Sequence, residues 1–262
     1  VRSDHLSLNG YQRQTTPLLA QENIVNFPDV WSCGTSTAVS LPCMFSNYDR
    51  DNFNAAKAQT TENVLDVLQR TGVNVIWMDN NSDSKGVAAR VTEENYKTDT
   101  LNQVCNPECR DIGMLGHLDD YIDEHPEGDI FIVLHQMGNH GPAYFRRYPD
   151  EFEKFIPACK INLLQNCSNE EIINSYDNSL LYTDFFLSST IEFLKENSAK
   201  FETTMLYISD HGESLGEYNL YLHGLPYILA PASQKHVPMI LWTGECIDSS
   251  EPACSSLRSS PS

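Results

Sequence analysis

The sequence contains no apolar run long enough to cross a bilayer. The longest, at residues 130–134 (IFIVL), is far shorter than the stretch of about 20 residues that a membrane-spanning helix needs. The first residues lack the basic and then apolar pattern of a signal peptide, and no internal repeat is present. Because the chain begins without methionine, we expect a fragment or mature domain of a longer protein. Its 262 residues are enough to bury a substantial core.

Basic residues are scarce. Lys and Arg number 17 against 36 Asp and Glu, which gives a formal net charge of −19 at pH 7. Nucleic-acid binding depends on Lys and Arg that replace the counterions of the phosphates, so we expect no nucleic-acid partner. The same charge argues against broad electrostatic adhesion to anionic lipid. An anionic substrate would therefore need a local device such as a metal ion.

The cysteine spacings typical of structural zinc sites are also absent, since no CxxC…CxxC or CxxC…HxxxH pattern occurs. The eight cysteines instead form four close couples: Cys33/Cys43, Cys105/Cys109, Cys159/Cys167 and Cys246/Cys254. An even number in local couples favours disulfides, and hence an oxidising compartment such as the periplasm or the cell exterior. The alternative is eight buried free thiols in a cytosolic protein.

Short apolar runs rich in β-branched and aromatic residues predict four buried strands, at residues 73–78, 129–134, 203–209 and 237–242. Helical patterns lie between them. One helix is expected to begin after a cap at Thr60 or Thr61 and to close at Arg70. A longer one begins near Ser168 or Asn169. Its apolar stripe repeats every three or four residues and consists of Ile172, Tyr176, Leu180, Leu187, Ile191 and Leu194.

Strands separated by helices predict right-handed crossovers and an α/β/α sandwich, in which helices cover both faces of a mostly parallel central sheet. We expect one domain over residues 1–248. Residues 249–262 are rich in Ser and Pro and almost devoid of apolar side chains, which predicts a disordered or altered C-terminal tail. Ligands of such sheets bind at the carboxyl ends of the strands, so the candidate site is expected there.

A carboxylate and an imidazole follow the third predicted strand. Asp210 and His211 come directly after the apolar run at 205–208, and Gly212 and Glu213 are next. This pair at a strand end suits a zinc ion in a crevice. The alternative is an Asp-His pair that caps the following helix.

Three further histidines are expected at the same edge of the sheet. His135 and His140 follow the second predicted strand in the sequence HQMGNHGP, and His223 lies beyond Asp210 in the sequence YLHG. A lone histidine in such a loop is more often structural, but together with His211 they favour one histidine-rich crevice. The remaining histidines, which are ordinary surface or core candidates, are His5, His117, His125 and His236.

Small and hydroxyl-bearing residues fill the loop between Cys33 and Cys43, which reads GTSTAVS at 34–40. A disulfide between these cysteines would pin the turn. A Thr hydroxyl is a poor nucleophile near neutral pH, and coordination to zinc is one way to activate it. The alternative is a Ser/Thr cluster that caps a helix.

Polar residues also follow the first predicted strand, in the segment 79–86 (DNNSDSKG). Its amides, hydroxyls and lysine suit a phosphate or an amine head group. The alternative is a polar turn rich in Asn and Asp.

Four of these segments together resemble the phosphoethanolamine–lipid A transferases, and the mobile colistin-resistance (MCR-type) branch most closely. They are residues 32–37 (SCGTST), 80–86 (NNSDSKG), 135–142 (HQMGNHGP) and 209–216 (SDHGESLG). The similarity keeps the same order from Val1 to about Trp242. It implies the alkaline phosphatase/sulfatase-like α/β/α fold. It also implies zinc-dependent transfer of phosphoethanolamine from phosphatidylethanolamine to lipid A, which confers polymyxin and colistin resistance.

The resemblance also assigns roles to residues. It makes Thr37 the nucleophile and, with Asp210 and His211, a ligand of at least one Zn²⁺. It implies that His140 and His223 are catalytic and lie near the transferred phosphoryl group, where a second metal could bind. The substrate-binding set that it implies consists of Asn81, Ser82, Lys85, His135, His140, His223 and Glu213. The disulfides that it implies are Cys33–Cys43, Cys105–Cys109 and Cys159–Cys167.

The resemblance further implies a monomeric periplasmic domain of a Gram-negative inner-membrane protein, joined to the membrane by helices upstream of Val1. The remaining zinc ligand of the family, a glutamate, is expected just before Val1 as well. The tail does not resemble the final helical region of the family, and Cys246 and Cys254 fall outside its pattern.

Two other readings of the motifs remain. The first is a zinc phosphodiesterase of the same superfamily that passes the group to water. The second is a catalytically impaired fragment that lacks one zinc ligand. A sulfatase proper would need a Cys or Ser in a C/S-x-P-x-R context, and the sequence shows no such signature.

Overall fold

The computed structural model describes residues 1–244, so the predicted tail at 249–262 and the couple Cys246/Cys254 lie outside the described residues. The strands are β1 (Ile24–Trp31), β2 (Asn74–Asp79), β3 (Thr92–Asn95), β4 (Ile130–His135), β5 (Thr204–Ile208), β6 (Ser214–Leu215), β7 (Tyr221–Leu222) and β8 (His236–Thr243). The α-helices are α1 (Thr37–Met44), α2 (Ala55–Thr60), α3 (Val64–Arg70), α4 (Leu118–Glu124) and α5 (Asn169–Glu196). Short 3₁₀ turns occur at Ser3–His5, Ser7–Asn9, Leu19–Gln21, Asp111–His117, Tyr144–Arg146, Asp150–Phe152, Leu164–Asn166, Glu217–Asn219 and Ala232–Gln234.

The strands of this region form two three-stranded sheets and a short hairpin. β2 is the centre of the first sheet and runs parallel to both β3 and β4. β8 is the centre of the second sheet and runs antiparallel to both β1 and β5, while β6 and β7 form the hairpin. The parallel arrangement predicted from the sequence therefore applies to β2, β3 and β4, and β8 reverses the direction in the second sheet.

The side chains of β2 point alternately into two helical layers. Ile76 and Met78 belong to the large core that also contains residues of α5, β5 and β8. Val75 and Trp77 pack on the other face, with Leu65 of α3 and with a residue of α1. A strand covered on both faces reads as a continuous apolar run, as β2 does. Helices on both faces of this strand confirm the predicted α/β/α class.

The long helix α5 has the start and the buried stripe that the sequence predicts. The Ser168 hydroxyl accepts a hydrogen bond from the backbone N–H of Glu171, whose carboxylate accepts one from the backbone N–H of Ser168, so the two residues form a capping box. The predicted stripe packs into the core: Ile172, Tyr176, Leu180, Leu187 and Ile191 are buried, and Leu194 is partly buried.

The predicted cap of α3 is wrong by a few residues. The helix begins at Val64, and its cap is Asn63 rather than Thr60 or Thr61. The Asn63 side chain accepts a hydrogen bond from the backbone N–H of Leu65 at 2.8 Å. An asparagine satisfies the free N–H groups of a helix start as well as a threonine does, so the sequence offers several equivalent caps here.

Four described strands have no counterpart in the sequence-based prediction: the two of the β6–β7 hairpin, and the edge strands β1 and β3. β1 contains Pro28, and its register shifts between Phe27 and Val30, so the proline lies at an irregularity of an edge strand. β3 reads TEEN and is largely exposed, without the apolar character of the other strands. Both lie at sheet edges, where burial does not demand apolar residues.

Disulfides close three short loops of the described region: Cys33–Cys43, Cys105–Cys109 and Cys159–Cys167. These pairings coincide with the ones that the family resemblance implies. Across residues 1–244, no helix combines the length and the apolar character needed to cross a membrane.

Candidate active site and metal centre

The candidate site forms where several strands end and helix α1 begins. Asp210 and His211 follow the end of β5, and His135 is the last residue of β4. Thr37 is the first residue of α1. The topology thus brings the start of a helix to the carboxyl ends of strands, the position at which α/β sheets bind ligands.

The turn before α1 directs one hydroxyl toward His211. The Thr35 hydroxyl donates a hydrogen bond to the carbonyl of Leu225 at 2.6 Å, and the Ser40 hydroxyl accepts one from the backbone N–H of Gly34 at 2.8 Å. Thr37, which is 7% exposed, places its Oγ1 3.3 Å from Nε2 of His211. Of these three hydroxyls, only that of Thr37 contacts the candidate metal ligands.

Three ligand atoms converge at this point: Thr37 Oγ1, Asp210 Oδ2 and His211 Nε2. The histidine nitrogen lies 3.3 Å from the threonine oxygen and 3.6 Å from the aspartate oxygen. Asp210 Oδ2 is buried and has no hydrogen-bond partner in the described part of the chain. Ligands about 2.0–2.2 Å from a tetrahedral zinc ion lie roughly 3.3–3.6 Å apart. The residues therefore fit a zinc ion, which would satisfy the buried carboxylate oxygen.

Burial and neighbouring charge set the protonation states that a metal requires. Burial lowers the pKa of His211, which favours the neutral imidazole. Burial alone would raise the pKa of Asp210, but the interaction with His211 outweighs burial and lowers that pKa. An anionic carboxylate beside a neutral imidazole is the ligand form that zinc binds.

A second set of nitrogens lies beside this centre. One ligand atom each from His140, His211 and His223 lies within 4.8 Å of the others. Nδ1 of His140 and Nδ1 of His211 each donate a hydrogen bond to the carbonyl of the following residue, at 2.7 and 2.9 Å. Nδ1 of His223 donates one to Glu213 Oε1 at 3.1 Å. Each ring thus has Nε2 available for a metal or a substrate.

Glu213 holds the His223 ring through its Nδ1 atom. Its side chain is buried, and it also accepts hydrogen bonds from the backbone N–H of Gly141 at 3.2 Å and from the Tyr144 hydroxyl at 3.3 Å. Burial alone would raise the pKa of Glu213. The hydrogen bond from His223 and the positive charge of that ring outweigh burial, so the pKa lies below its ordinary value. The structure gives Glu213 a contact with His223, and the substrate-binding role that the family resemblance implies for Glu213 stays a prediction.

The polar segment after β2 is only partly directed at the site. Asn81 is buried and its amide donates a hydrogen bond to the carbonyl of Gln136 at 2.8 Å, which ties the segment to the loop after β4. The Lys85 ammonium turns back on its own loop, where it donates a hydrogen bond to the carbonyl of Ser82 and lies 3.1 Å from Asp83. Within residues 1–244, neither Lys85 nor Ser82 forms a hydrogen bond or ion pair with the histidines.

Asp111 is a buried residue of the site's framework that the sequence did not single out. It accepts hydrogen bonds from the Asn80 amide at 2.7 Å and from the backbone N–H groups of Met137 and Gly138 at 2.8 and 2.9 Å. Burial raises its pKa despite these bonds. The carboxylate thus shapes the loop that carries His140. No sequence signal identifies it, because its partners lie far away along the chain.

This fold is that of a known family. The chain belongs to the sulfatase family, because the family model described as Sulfatase matches residues 1–252.

Several members of that family are closely similar to this chain in sequence or in structure. The chain is 50% identical over 251 residues to the phosphatidylethanolamine transferase Mcr-2 of Escherichia coli, which covers 93% of this chain and 47% of Mcr-2. The soluble domain of lipooligosaccharide phosphoethanolamine transferase A from Neisseria meningitidis superposes with a TM-score of 0.90 at 44% identity, covering 94% of this chain and 74% of that one. The integral membrane form of that transferase gives a TM-score of 0.89 at 44% identity, covering 94% of this chain and 46% of that one. The chain thus spans about half the length of the curated relative, and the family resemblance seen in the motifs is confirmed.

Proposed function

We propose that this domain transfers phosphoethanolamine from phosphatidylethanolamine to lipid A through a covalent intermediate on Thr37. The observation that carries the proposal is the approach of Thr37 Oγ1 to His211 Nε2, 3.3 Å away and beside the unpartnered carboxylate oxygen of Asp210. Relatives that are named phosphatidylethanolamine or phosphoethanolamine transferases support the donor and the transferred group. The family motifs support lipid A as the acceptor.

In the first half-reaction, the Thr37 oxygen attacks the phosphorus of the donor. The bond between Thr37 Oγ and phosphorus forms as the bond between phosphorus and the diacylglycerol oxygen breaks. A zinc ion held by Thr37, Asp210 and His211 would lower the pKa of the Thr37 hydroxyl and stabilise negative charge on the phosphoryl oxygens.

His223 is the best placed general acid for the departing diacylglycerol oxygen. Its Nδ1 is occupied by Glu213, so Nε2 is the atom that can give a proton. The Glu213 carboxylate stabilises the positive charge of the protonated ring. His140, whose pKa is lowered by burial, is better suited to remain neutral. With a neutral ring, His140 could hold a second metal ion.

In the second half-reaction, a phosphate or hydroxyl oxygen of lipid A attacks the same phosphorus and frees Thr37. The added ethanolamine brings a positive charge to lipid A, which weakens the binding of cationic polymyxins and would confer colistin resistance. Relatives described as a soluble domain and as an integral membrane protein support a periplasmic domain that is joined to the inner membrane of a Gram-negative cell.

Mass spectrometry of the domain after incubation with phosphatidylethanolamine tests the nucleophile and the donor together. We expect a phosphoethanolamine adduct on the peptide that contains Thr37, and none in Thr37→Ala. Thr37→Ser, which keeps a hydroxyl, is the matched control and should still form the adduct. Full transfer to a lipid acceptor by Thr37→Ala would refute the role of Thr37. Release of free ethanolamine phosphate in place of modified lipid would identify a phosphodiesterase.

A further inference from the structure

Asp79 is a buried carboxylate at the end of β2 whose two oxygens are both fully used. It is 2% exposed. Its Oδ2 accepts hydrogen bonds from Nδ1 of His135 at 2.6 Å and from Nε1 of Trp77 at 3.1 Å. Its Oδ1 accepts from the backbone N–H groups of Asn81 at 2.9 Å and Asp83 at 3.1 Å. One side chain therefore joins the end of β2, the loop after it and the end of β4.

The partner ring at the end of β4 is fixed in both position and polarity. The hydrogen bond from Nδ1 to a carboxylate keeps the proton of a neutral ring on Nδ1 and leaves Nε2 with its lone pair. The Trp77 ring packs against the His135 ring in an edge-on arrangement, with centroids 5.2 Å apart, which restricts its rotation. Among the described residues, Nε2 of His135 has no hydrogen-bond partner.

This arrangement matches that of the three clustered histidines. His140, His211 and His223 also bond through Nδ1 to an oxygen, which leaves Nε2 of each ring for other partners; that of His211 lies 3.3 Å from Thr37 Oγ1. His135 ends β4 and His140 lies in the loop that follows, so both rings belong to the same end of that strand. Each of the four rings is held through Nδ1.

We propose that Asp79 is a positioning residue of the active site: it holds His135 in the Nδ1–H form, so that the Nε2 lone pair can accept a hydrogen bond from the ammonium of the substrate's phosphoethanolamine group. The catalytic part of this statement rests on the proposed transferase function, whereas the tautomer of His135 does not. Asp79 also sets the loop that carries Asn81, so a single carboxylate aligns two elements at the edge of the site.

The structure suggests Asp79→Asn as the test, because the amide keeps the size of the carboxylate but replaces one acceptor by an NH₂ group. The backbone N–H groups of Asn81 and Asp83 keep the amide oxygen on their side, so the NH₂ group faces Nδ1 of His135. That nitrogen must then become an acceptor and the proton must move to Nε2. Nitrogen-15 NMR of the histidine side chains at pH 8.5 reports the tautomer directly, and the spectrum of His135→Gln assigns the signal. We expect the Nδ1–H form in the wild-type protein and a shift toward the Nε2–H form in Asp79→Asn.

Asp184→Asn is the matched control, because Asp184 is also buried and accepts two backbone hydrogen bonds but contacts no histidine. It should leave the His135 tautomer unchanged. An Nε2–H form in the wild-type protein, or an unchanged tautomer in Asp79→Asn, would overturn the proposal. If Asp79→Asn does not fold, the wild-type spectrum alone still decides the tautomer.

Measurements of kcat test whether Asp79 acts through His135. We expect Asp79→Asn to lower kcat for phosphoethanolamine transfer by about tenfold or more, as loss of such supporting hydrogen bonds does elsewhere. In a His135→Gln background the same substitution should have little further effect on kcat. An equal loss in both backgrounds would show that Asp79 acts on the loop instead and would overturn the proposal. If the wild-type domain transfers nothing, the proposed function fails while the NMR result still stands.

Discussion

Asp184 should make the domain less stable as the pH rises from 4 to 7.5. It is 1% exposed and accepts hydrogen bonds from the backbone N–H groups of Leu18 and Leu19, and no cation pairs with it in the described region. Burial raises its pKa from the ordinary 3.8 to about 6, against the lowering effect of those two bonds. An acid with a higher pKa in the folded state holds its proton more tightly there. The proton that Asp184 holds therefore stabilises the folded protein, in full below about pH 4. This stabilisation is lost as the pH rises through about 6.

The size of the effect follows from the shift. About two pKa units at 1.36 kcal/mol each correspond to about 3 kcal/mol of stabilisation, which is lost in full by pH 7.5. Asp184→Asn removes the ionisation but also one acceptor oxygen, so it should cost about 1–2 kcal/mol at pH 4. Between pH 4 and pH 7.5, the free energy of unfolding of the variant should therefore gain about 3 kcal/mol relative to the wild-type protein.

Urea unfolding at the two pH values, followed by tryptophan fluorescence without reductant, measures this relative gain. Other titrating groups are present in both proteins and cancel in the comparison. Asp66→Asn is the matched control: the hydrogen bond from Arg90 lowers the pKa of Asp66, so its stabilising effect is lost only below about pH 4. Its difference from the wild-type protein should stay constant over the same range. A constant difference for Asp184→Asn as well would refute the assigned shift.

Three further changes probe the core, a helix cap and the metal centre. Leu65→Ala should lower the free energy of unfolding by about 2–5 kcal/mol in urea denaturation, because the side chain is fully buried between α3 and β2; a loss below 1 kcal/mol would contradict that packing. Ser168→Ala should cost about 1 kcal/mol in the same assay, through loss of the α5 capping box, whereas Ser168→Asp should restore it. His211→Ala should reduce the zinc that the purified protein retains, measured by elemental analysis, and undiminished zinc would remove His211 from the ligand set.

The sequence predicts those parts of the fold that burial dictates. β2 and much of β8 are buried as predicted, whereas β4 and β5 are only partly buried and leave Phe131 and Leu206 exposed. The edge strands β1 and β3 carry Pro28 or exposed charged residues, and only their backbone pairing with β8 or β2 defines them. Pairing of that kind depends on residues far away in the sequence, which no local pattern contains.

Part of the candidate site was likewise predictable from the sequence. The rule that ligands bind at strand ends, together with the family motifs, pointed to Thr37 and to the Asp-His pair after β5. Asp79 occupies the same kind of position at the end of β2, so the rule could have identified it as well. Its role was not visible because His135, its partner, is 56 residues away. Lys85 illustrates the reverse, since its loop folds the ammonium back onto a neighbouring carbonyl.

The electrostatics of the site favour a bound cation over a phosphate group. Burial lowers the pKa values of His140 and His211, so these rings do not supply positive charge at neutral pH. Arg147 is held by Glu108 and by the carbonyl of His140. The carboxylates of the site are directed at Nδ1 atoms or at the candidate metal position, and the free Nε2 lone pairs converge. Such a set of atoms repels a phosphate and attracts a cation. The positive charge that a phosphoryl group needs is therefore best supplied by a bound metal, which this arrangement of neutral nitrogens and buried oxygens is suited to hold.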